Sequence, residues 1–477
     1  MSTITWSLIS HTNVGKTTLA RTLLRREIGE VTDQAHVTDQ NHSYPLLDAD
    51  PHRLVLWDTP GFGDSARLLK RLRAEGSPLA WLQSQVWDRL ADRPLYCSQQ
   101  AIHNVREEAD LILYLVSAAE LPEEAGYVPL EMELLSWTDR PVVILLNQVG
   151  ESDAAALAET ARAWEEASAD WPAVRAVLPL DAHRRSWVEE GVLLEESAAW
   201  IGEDRKAALE AITVAWRERG ARWIDASVTA LAEGLATLIH HREPLEGSSF
   251  SAGAKRAARE RIIGRVGEEA KTLFERWIEI HELTGTIAEE VASDWGELVD
   301  SGAAWIDGKK LGVGGALGGA ATGAVIDAKA LGLTLGAGTV IGGILGGIAG
   351  WGLGGWIAEK TSKGRHLRIG GEALDCLVAR LLLGLLVVTH HGRGRGELRG
   401  EEGAAHFTAR VDAALSAERR TLTGLWERGK TKEGDRAETV AALRAPLDRI
   451  VRQLLAAGGE RIAATVSRIP PSPADRL

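Results

Sequence analysis

An α/β domain with a mainly parallel sheet and helices on both faces, followed by a mostly α-helical domain that carries a glycine-rich helical hairpin, is the fold the sequence predicts. Three observations predict it. Up to about residue 185, short apolar runs end in Gly, Asp or Asn. Beyond that point Ala, Glu, Arg and Trp recur at helical spacing. From about 311 to 358, Gly is interleaved with Ala, Leu, Ile and Val, and only Asp327 and Lys329 interrupt the uncharged stretches.

The strands are expected at residues 4–10, 54–58, 111–117, 142–147 and 174–180. The stretches between them are long enough for helical crossovers, so neighbouring strands run parallel and both faces of the sheet are covered. Residues 44–48 turn through Asp50-Pro51-His52 into the second of these runs, which predicts an antiparallel hairpin. Residues 64–108 exceed what one crossover needs, and the spacing of Leu68, Leu69, Leu72, Trp81, Leu82, Val86 and Leu90 reads as a helical insertion. The first domain is therefore drawn at 1–186 and the helical one at 187–477. In the latter, Trp200, Trp216, Trp223, Trp277 and Trp295 read as core packing.

Within the glycine-rich segment, Gly342, Gly346 and Gly350 fall four apart, as do Gly315, Gly319 and Gly323, which lines small residues along one helix face. The natural arrangement is a hairpin turning near Asp327-Ala328-Lys329, with Lys309, Lys310, Lys360, Lys363, Arg365 and Arg368 outside its ends. Two readings stand. The hairpin enters lipid from the cytoplasmic side, with Trp351 and Trp356 at the interface, or it is a tightly packed element of the helical domain. Asp327 and Lys329 at the tip are costly to pass into lipid.

Lys plus Arg number 54 against 67 Asp plus Glu, a net charge of −13. An acidic chain is a poor general nucleic-acid binder, so any phosphate site must be local. Two cysteines, Cys97 and Cys376, exclude a disulfide framework or a cysteine-built zinc site. The opening MSTITWSLIS has no basic stretch followed by an apolar run, which predicts no secretory leader and a cytoplasmic protein. His240-His241 and His390-His391 offer no metal-ligand spacing, because neighbours on a helix point apart.

The strongest motif comes directly after the first strand: Ser10-His11-Thr12-Asn13-Val14-Gly15-Lys16-Thr17-Thr18, opening a helix near Leu19. It is a phosphate-binding loop in all but its leading glycine, here Ser10. Backbone N–H groups from Asn13 to Thr18 would wrap phosphate oxygens and Lys16 would neutralise the terminal phosphates, while the Thr17 hydroxyl would hold Mg²⁺. A second motif, Asp58-Thr59-Pro60-Gly61, ends the apolar strand at 54–58. Asp58 would orient Mg²⁺ or its water, and the Gly61 N–H would meet a γ-phosphate, which is switch logic.

With both motifs in hand, the chain resembles the translation-factor-type GTPases of the Era and TrmE kind, whose loop commonly reads GxxNVGKS; Asn13-Val14-Gly15-Lys16-Thr17 matches it. The resemblance implies a K⁺ ion at Asn13 assisting hydrolysis, GTP and GDP as ligands, and the option of a homodimer through the GTPase domain. It also implies a switch threonine as Mg²⁺ ligand, placed by spacing at Thr38 with Thr32 as fallback. The guanine-reading NKxD motif is reduced to Asn147-Gln148-Val149-Gly150, so guanine specificity rests on the resemblance. Asp153 from a shifted loop could serve in its place. Asp181 and Ala182 are base-loop candidates, ordinary turn chemistry being an equal reading. The hydrolytic glutamine of Ras-like proteins is Phe62 here, which cannot polarise water and predicts slow turnover.

The layout also resembles a bacterial group of GTPases with a large C-terminal domain of unknown function, on HTNVGKT at 11–17, LLNQVG at 145–150, VLPLDA at 177–182 and LTLGAG at 333–338. The expected function is a slow GTPase acting as a nucleotide-dependent switch, cytoplasmic and in contact with the inner face of the membrane. The alternative is a nucleotide-binding scaffold with little hydrolysis and relaxed base specificity. RNA binding, as in Era-like proteins, is disfavoured by the acidic balance.

Overall fold

The computed structural model describes residues 2–12, 14–25, 28, 41–74, 93–147, 154–180, 187–245, 252–283, 356–361, 364–390, 401–428, 436–457 and 460–470. They form two compact units. The first takes the chain up to Arg219 together with Ser467–Ile469, and the second takes Gly220–Thr389 and most of the chain beyond it.

The first unit is organised on a six-stranded sheet of order β2-β3-β1-β4-β5-β6. Its strands are β1 (Thr3–Ser10), β2 (His42–Ala49), β3 (His52–Asp58), β4 (Leu111–Ser117), β5 (Val142–Asn147) and β6 (Val174–Pro179). All neighbours are parallel except β2 and β3, which form the expected antiparallel hairpin, with a register shift between Pro45 and Leu47. Every residue of β5 is buried, and in β4 only Ser117 reaches partial exposure. Covered on both faces, these strands read as continuous apolar runs, which is why the sequence located them so well.

Helix α1 (Lys16–Leu24) starts three residues before Leu19, because Gly15 adopts a left-handed conformation (φ 89°, ψ 22°) and turns the chain straight into the helix. A side chain would be strained there. The insertion is helical at both described ends, as α2 (Ser65–Ala74) and α3 (Arg93–Glu108); residues 75–92 lie outside the described set. Helices α4 (Val128–Ser136), α5 (Ala154–Ala167) and α6 (Trp187–Ser197) come next. Ile9, Phe62, Leu72, Val105, Tyr114 and Trp164 meet in the core between sheet and helices, and all six are fully buried. Removing aliphatic side chains of this size from water stabilises by roughly 1.5–3 kcal/mol each.

Helix α7 (Glu203–His240) contains the boundary between the units, after Arg219. The second unit continues with α8 (Ala252–Ile280), α9 (Gly371–His390), α10 (Glu401–Arg428), α11 (Arg436–Ala456) and α12 (Glu460–Ser467). From Ala373 to Thr389, α9 is buried at all but one residue, Asp375. A helix that is apolar all round belongs in the middle of a core. Trp216, Trp223 and Trp277 are buried as expected; Trp200 is half-buried in a turn and Trp295 lies outside the described residues.

Between 356 and 369 the structure corrects the sequence-based expectation. The glycine-rich run predicts a helical hairpin reaching 358 and helical sequence after Lys360. The chain instead forms β8 (Trp356–Thr361) and β9 (Gly364–Ile369), which join β7 (Glu243–Pro244) in an antiparallel sheet of order β7-β9-β8. Leu367 and Ile369, two apart, turn to the same side and are buried. Trp356, which the membrane reading placed at a lipid interface, is buried beneath the Arg259 guanidinium, 5.3 Å from the ring centroid. Arg368, one of the basic residues outside the hairpin's end, is also buried and pairs with Glu359 at 3.1 Å, as does Arg242 at 2.5 Å. The rest of the glycine-rich segment, 311–355, lies outside the described residues. Among the described residues no helix is long and apolar enough to cross a membrane.

Candidate functional site

The candidate site lies at the carboxyl ends of β1 and β3, where parallel strands deliver loops to one edge of the sheet. Ser10 is the last residue of β1, and its backbone is extended strand rather than left-handed. A side chain is therefore tolerated where the usual motif has glycine, and the Ser10 hydroxyl donates to the His11 carbonyl at 2.6 Å. Lys16 and Thr17 sit on the first turn of α1, with Thr18 half-buried beside them. The helix N-terminus adds backbone N–H groups and positive partial charge at the loop.

Asp58, at the end of β3, brings the two motifs together. Thr17 Oγ1 donates to Asp58 Oδ2 at 2.9 Å, and Lys16 Nζ stands 3.7 Å from Asp58 Oδ1. Lys16 and Asp58 are largely out of water, 8% and 2% exposed, and Thr17 is half-buried. Asp58 Oδ1 is buried without a hydrogen-bond partner. A hydroxyl and a carboxylate in contact, with one carboxylate oxygen unsatisfied, form a hard-oxygen donor set of the kind Mg²⁺ prefers, so the residues present fit that ion.

The second motif is braced against the first. The Phe62 N–H donates to the Ser10 carbonyl at 2.9 Å, and Phe62 pairs with His11 in a parallel bridge. Thr59 Oγ1 donates to the Leu8 carbonyl at 2.7 Å. A Cβ at Gly61 would lie 3.4 Å from the Ser10 and His11 carbonyl oxygens and from Thr12 Cα, an ordinary van der Waals distance, so the two segments stand in contact here. The Gly63 and Asp64 N–H groups both donate to the Ser98 hydroxyl on α3, at 3.0 and 3.1 Å. Asp64 caps α2 by accepting from the Arg67 N–H at 3.0 Å. On the other side, Asn147 at the end of β5 is fully buried and donates from Nδ2 to the Val14 carbonyl at 2.7 Å.

Lys16, Thr17, Val14, Gly15, Asp58, Gly61 and Asn147 are thus gathered at one edge. Asn13, Thr32, Thr38, Gln148 to Gly150, Asp153, Asp181 and Ala182 lie outside the described residues. Phe62 is fully buried in the core cluster. His240 and His241 take separate partners, Thr439 and Glu243, at 2.8 and 3.2 Å. Among the described residues no group of three or more His, Cys, Asp or Glu could hold a metal ion.

A polar cluster that sequence reasoning missed stands directly behind the loop. His11 Nδ1 lies 2.7 Å from Glu131 Oε1, and Tyr114 OH donates to Glu131 Oε2 at 2.5 Å. The His11 ring stacks on Tyr127 with centroids 4.3 Å apart, and Tyr127 OH donates to Glu120 at 2.7 Å. Glu131 is fully buried. Burial pushes its carboxyl above the ordinary range, against the hydrogen bonds of His11, Tyr114 and Ser65. The Glu131 hydrogen bond in turn raises His11, with burial opposing. Burial, then Glu131, holds the Tyr114 hydroxyl well above its ordinary value. A signal did exist: Glu131 shares a helix face with Val128, Leu134 and Leu135, all buried, and a carboxylate on an apolar stripe needs partners.

Strand, anion-binding loop and helix, completed by a strand-ending Asp-x-x-Gly and a buried loop asparagine, define a P-loop GTPase domain. Residues 5–148 match the family described as 50S ribosome-binding GTPase, and residues 172–456 match the domain of unknown function DUF3482. The second match spans more than half of the chain, and the chain belongs to that family, with an Era-like GTPase domain before it. GTPase Der of Stenotrophomonas maltophilia strain K279a is 30% identical over 151 residues, 31% of this chain and 26% of Der. GTPase Era of Clostridium tetani is 22% identical over 214 residues, 45% of this chain and 61% of Era. The chain therefore spans about a quarter of the one relative and about three fifths of the other. Among solved structures, an Era variant of Aquifex aeolicus bound to GDP.AlF4- is 14% identical, covering 60% of this chain and 99% of that one with a TM-score of 0.29.

Proposed function

We propose that the chain is a GTP-binding protein and slow GTPase whose nucleotide state acts as a switch on the helical domain, drawn at residues 187–477. The observation that carries this reading is the contact of Thr17 and Lys16 with the one buried carboxylate of Asp58, which joins the two phosphate-sensing motifs. Lys16 offsets phosphate charge, the N–H groups from Asn13 to Thr18 cradle oxygens, and Gly61 reports the γ-phosphate. Mg²⁺, held by Thr17, Asp58 and, by spacing, Thr38, would supply charge neutralisation across the β- and γ-phosphates. Asn13 with K⁺ is proposed to assist hydrolysis in place of the missing glutamine. Asn147, Asp181 and Ala182 are proposed for the base side. Contact with the inner membrane through the part of the glycine-rich segment before β8, 311–355, and dimerisation through the GTPase domain, complete the proposal.

A second reading, a nucleotide-binding scaffold with little turnover, is favoured by Phe62, which is fully buried where a water-orienting side chain would stand. One experiment separates the two: affinity and hydrolysis of GTP and ATP with Mg²⁺, in K⁺ or Na⁺, for the intact chain and Lys16→Ala. GTP-selective turnover that rises in K⁺ and is lost in Lys16→Ala supports the switch enzyme. Equal ATP and GTP binding without turnover overturns it and leaves the scaffold. Co-sedimentation with anionic vesicles tests the membrane contact, and failure to sediment rejects it.

A further inference from the structure

The loop residue His11 is held by two side chains from outside the phosphate-binding loop. Its Nδ1 meets Glu131 on α4 at 2.7 Å and its ring stacks on Tyr127. Glu131 also accepts from Tyr114 on β4 and from Ser65, the first residue of α2. One fully buried carboxylate thus gathers hydrogen bonds from the phosphate-binding loop and from the helix that comes after Asp58-Thr59-Pro60-Gly61. These are the two segments whose separation the γ-phosphate would sense. Their backbones already touch: the Phe62 N–H donates to the Ser10 carbonyl, and a Cβ at Gly61 would stand in van der Waals contact, at 3.4 Å, with the Ser10 and His11 carbonyl oxygens.

An apolar residue at 131 would fill the same space without the desolvation of a carboxylate, and such replacements are often neutral or stabilising. What the polar cluster adds is direction. A hydrogen-bonded carboxylate fixes His11 along one axis, whereas an apolar contact lets the loop slide.

We propose that His11, held by Glu131, is a positioning residue for hydrolysis, setting the outer turn of the phosphate-binding loop against Gly61 and the start of α2. This rests on the GTPase reading. His11 touches no reacting atom in the proposal; it acts through the backbone it carries.

The test compares His11→Ala, His11→Asn and Glu131→Gln with the wild type in GTP turnover, GTP and GDP affinity, and thermal unfolding. Asn can place an amide donor near the Nδ1 position, so it serves as the conservative variant. His11→Ala is expected to lower kcat by about 10- to 100-fold, the scale of a small misplacement in a pre-organised site. KM and GDP affinity should change less than about threefold, because the lost interaction is expressed in the transition state. His11→Asn should recover most of the loss. Unchanged kcat in a folded His11→Ala overturns the positioning role alone. Parallel losses in kcat and in affinity for both nucleotides also overturn it, since they mark a general loosening of the site. Absence of turnover in the wild type overturns the GTPase reading first, and this proposal with it. If His11→Ala does not fold, Glu131→Gln decides on the same criteria; loss of fold in both assigns the cluster to stability and rejects the proposal.

Discussion

Asn147 shows how one side chain can serve fold and site together. It is fully buried at the end of β5, and its Nδ2 donates to the Val14 carbonyl across 133 residues of sequence. Replacing it with Ala removes that donor and leaves the carbonyl in a dry place. Leaving one buried polar group unsatisfied costs about 1–3 kcal/mol. Asn147→Ala is therefore expected to lower the stability of the nucleotide-free protein by about that much. Urea unfolding followed by tryptophan fluorescence measures it, through a lower midpoint at constant slope. An unchanged midpoint would mean that the Val14 carbonyl finds another donor and that the asparagine does not brace the loop. The sequence singled out Asn147 because it ends a continuous apolar run, at a strand's carboxyl end, but assigned it to the base-reading loop and not to this contact with Val14. His11 was not legible in the same way. Its partner Glu131 is 120 residues away, and a pairing at that distance leaves no local pattern.

Among elements, the packing of α6 on α7 sets two rules against each other. Gly191 lies inside α6, where helix propensity alone favours Ala by about 1 kcal/mol. Yet a Cβ there would sit 2.1 Å from the ring of Trp216 on α7. Trp216 is 1% exposed and tilts against Trp187 with ring centroids 5.3 Å apart, so the indole is hemmed in. Overpacking a filled site costs about 1–3 kcal/mol and should win. Gly191→Ala is expected to destabilise despite its better propensity, seen as a lower thermal midpoint with unchanged helical circular dichroism at low temperature. Stabilisation would show that Trp216 can move aside. Sequence periodicity explains which elements were read well. β4 and β5 were located to the residue because both sheet faces bury them and turn residues bound them. β8 and β9 were missed because the glycine-rich run before them suggests close-packed helices, and because their alternation is blurred by Arg368, a buried cation that reads as a solvated one.

At the scale of the whole molecule, charge and local site pull in opposite directions. The chain carries a net charge of −13, and the ligand proposed for it is a polyanion. Lys16 and the amino end of α1 act within a few ångströms, whereas the summed field acts beyond a Debye length, which falls from about 30 Å at 0.01 M salt to about 8 Å at 0.15 M. Salt therefore screens the distant repulsion far more than it screens a lysine that is 8% exposed. Association with Mg²⁺–GTP is expected to quicken between about 0.01 and 0.15 M salt, by a few-fold rather than by decades, because the repelling charges are spread over the whole surface. Dissociation, governed by buried contacts, should hardly change. Stopped-flow fluorescence with a labelled guanine nucleotide reads both rates. Slower association with added salt would mean that a positive field at the loop outweighs the acidic surface around it. The sequence reading that confined phosphate binding to a local site would then understate how far that site reaches into solution.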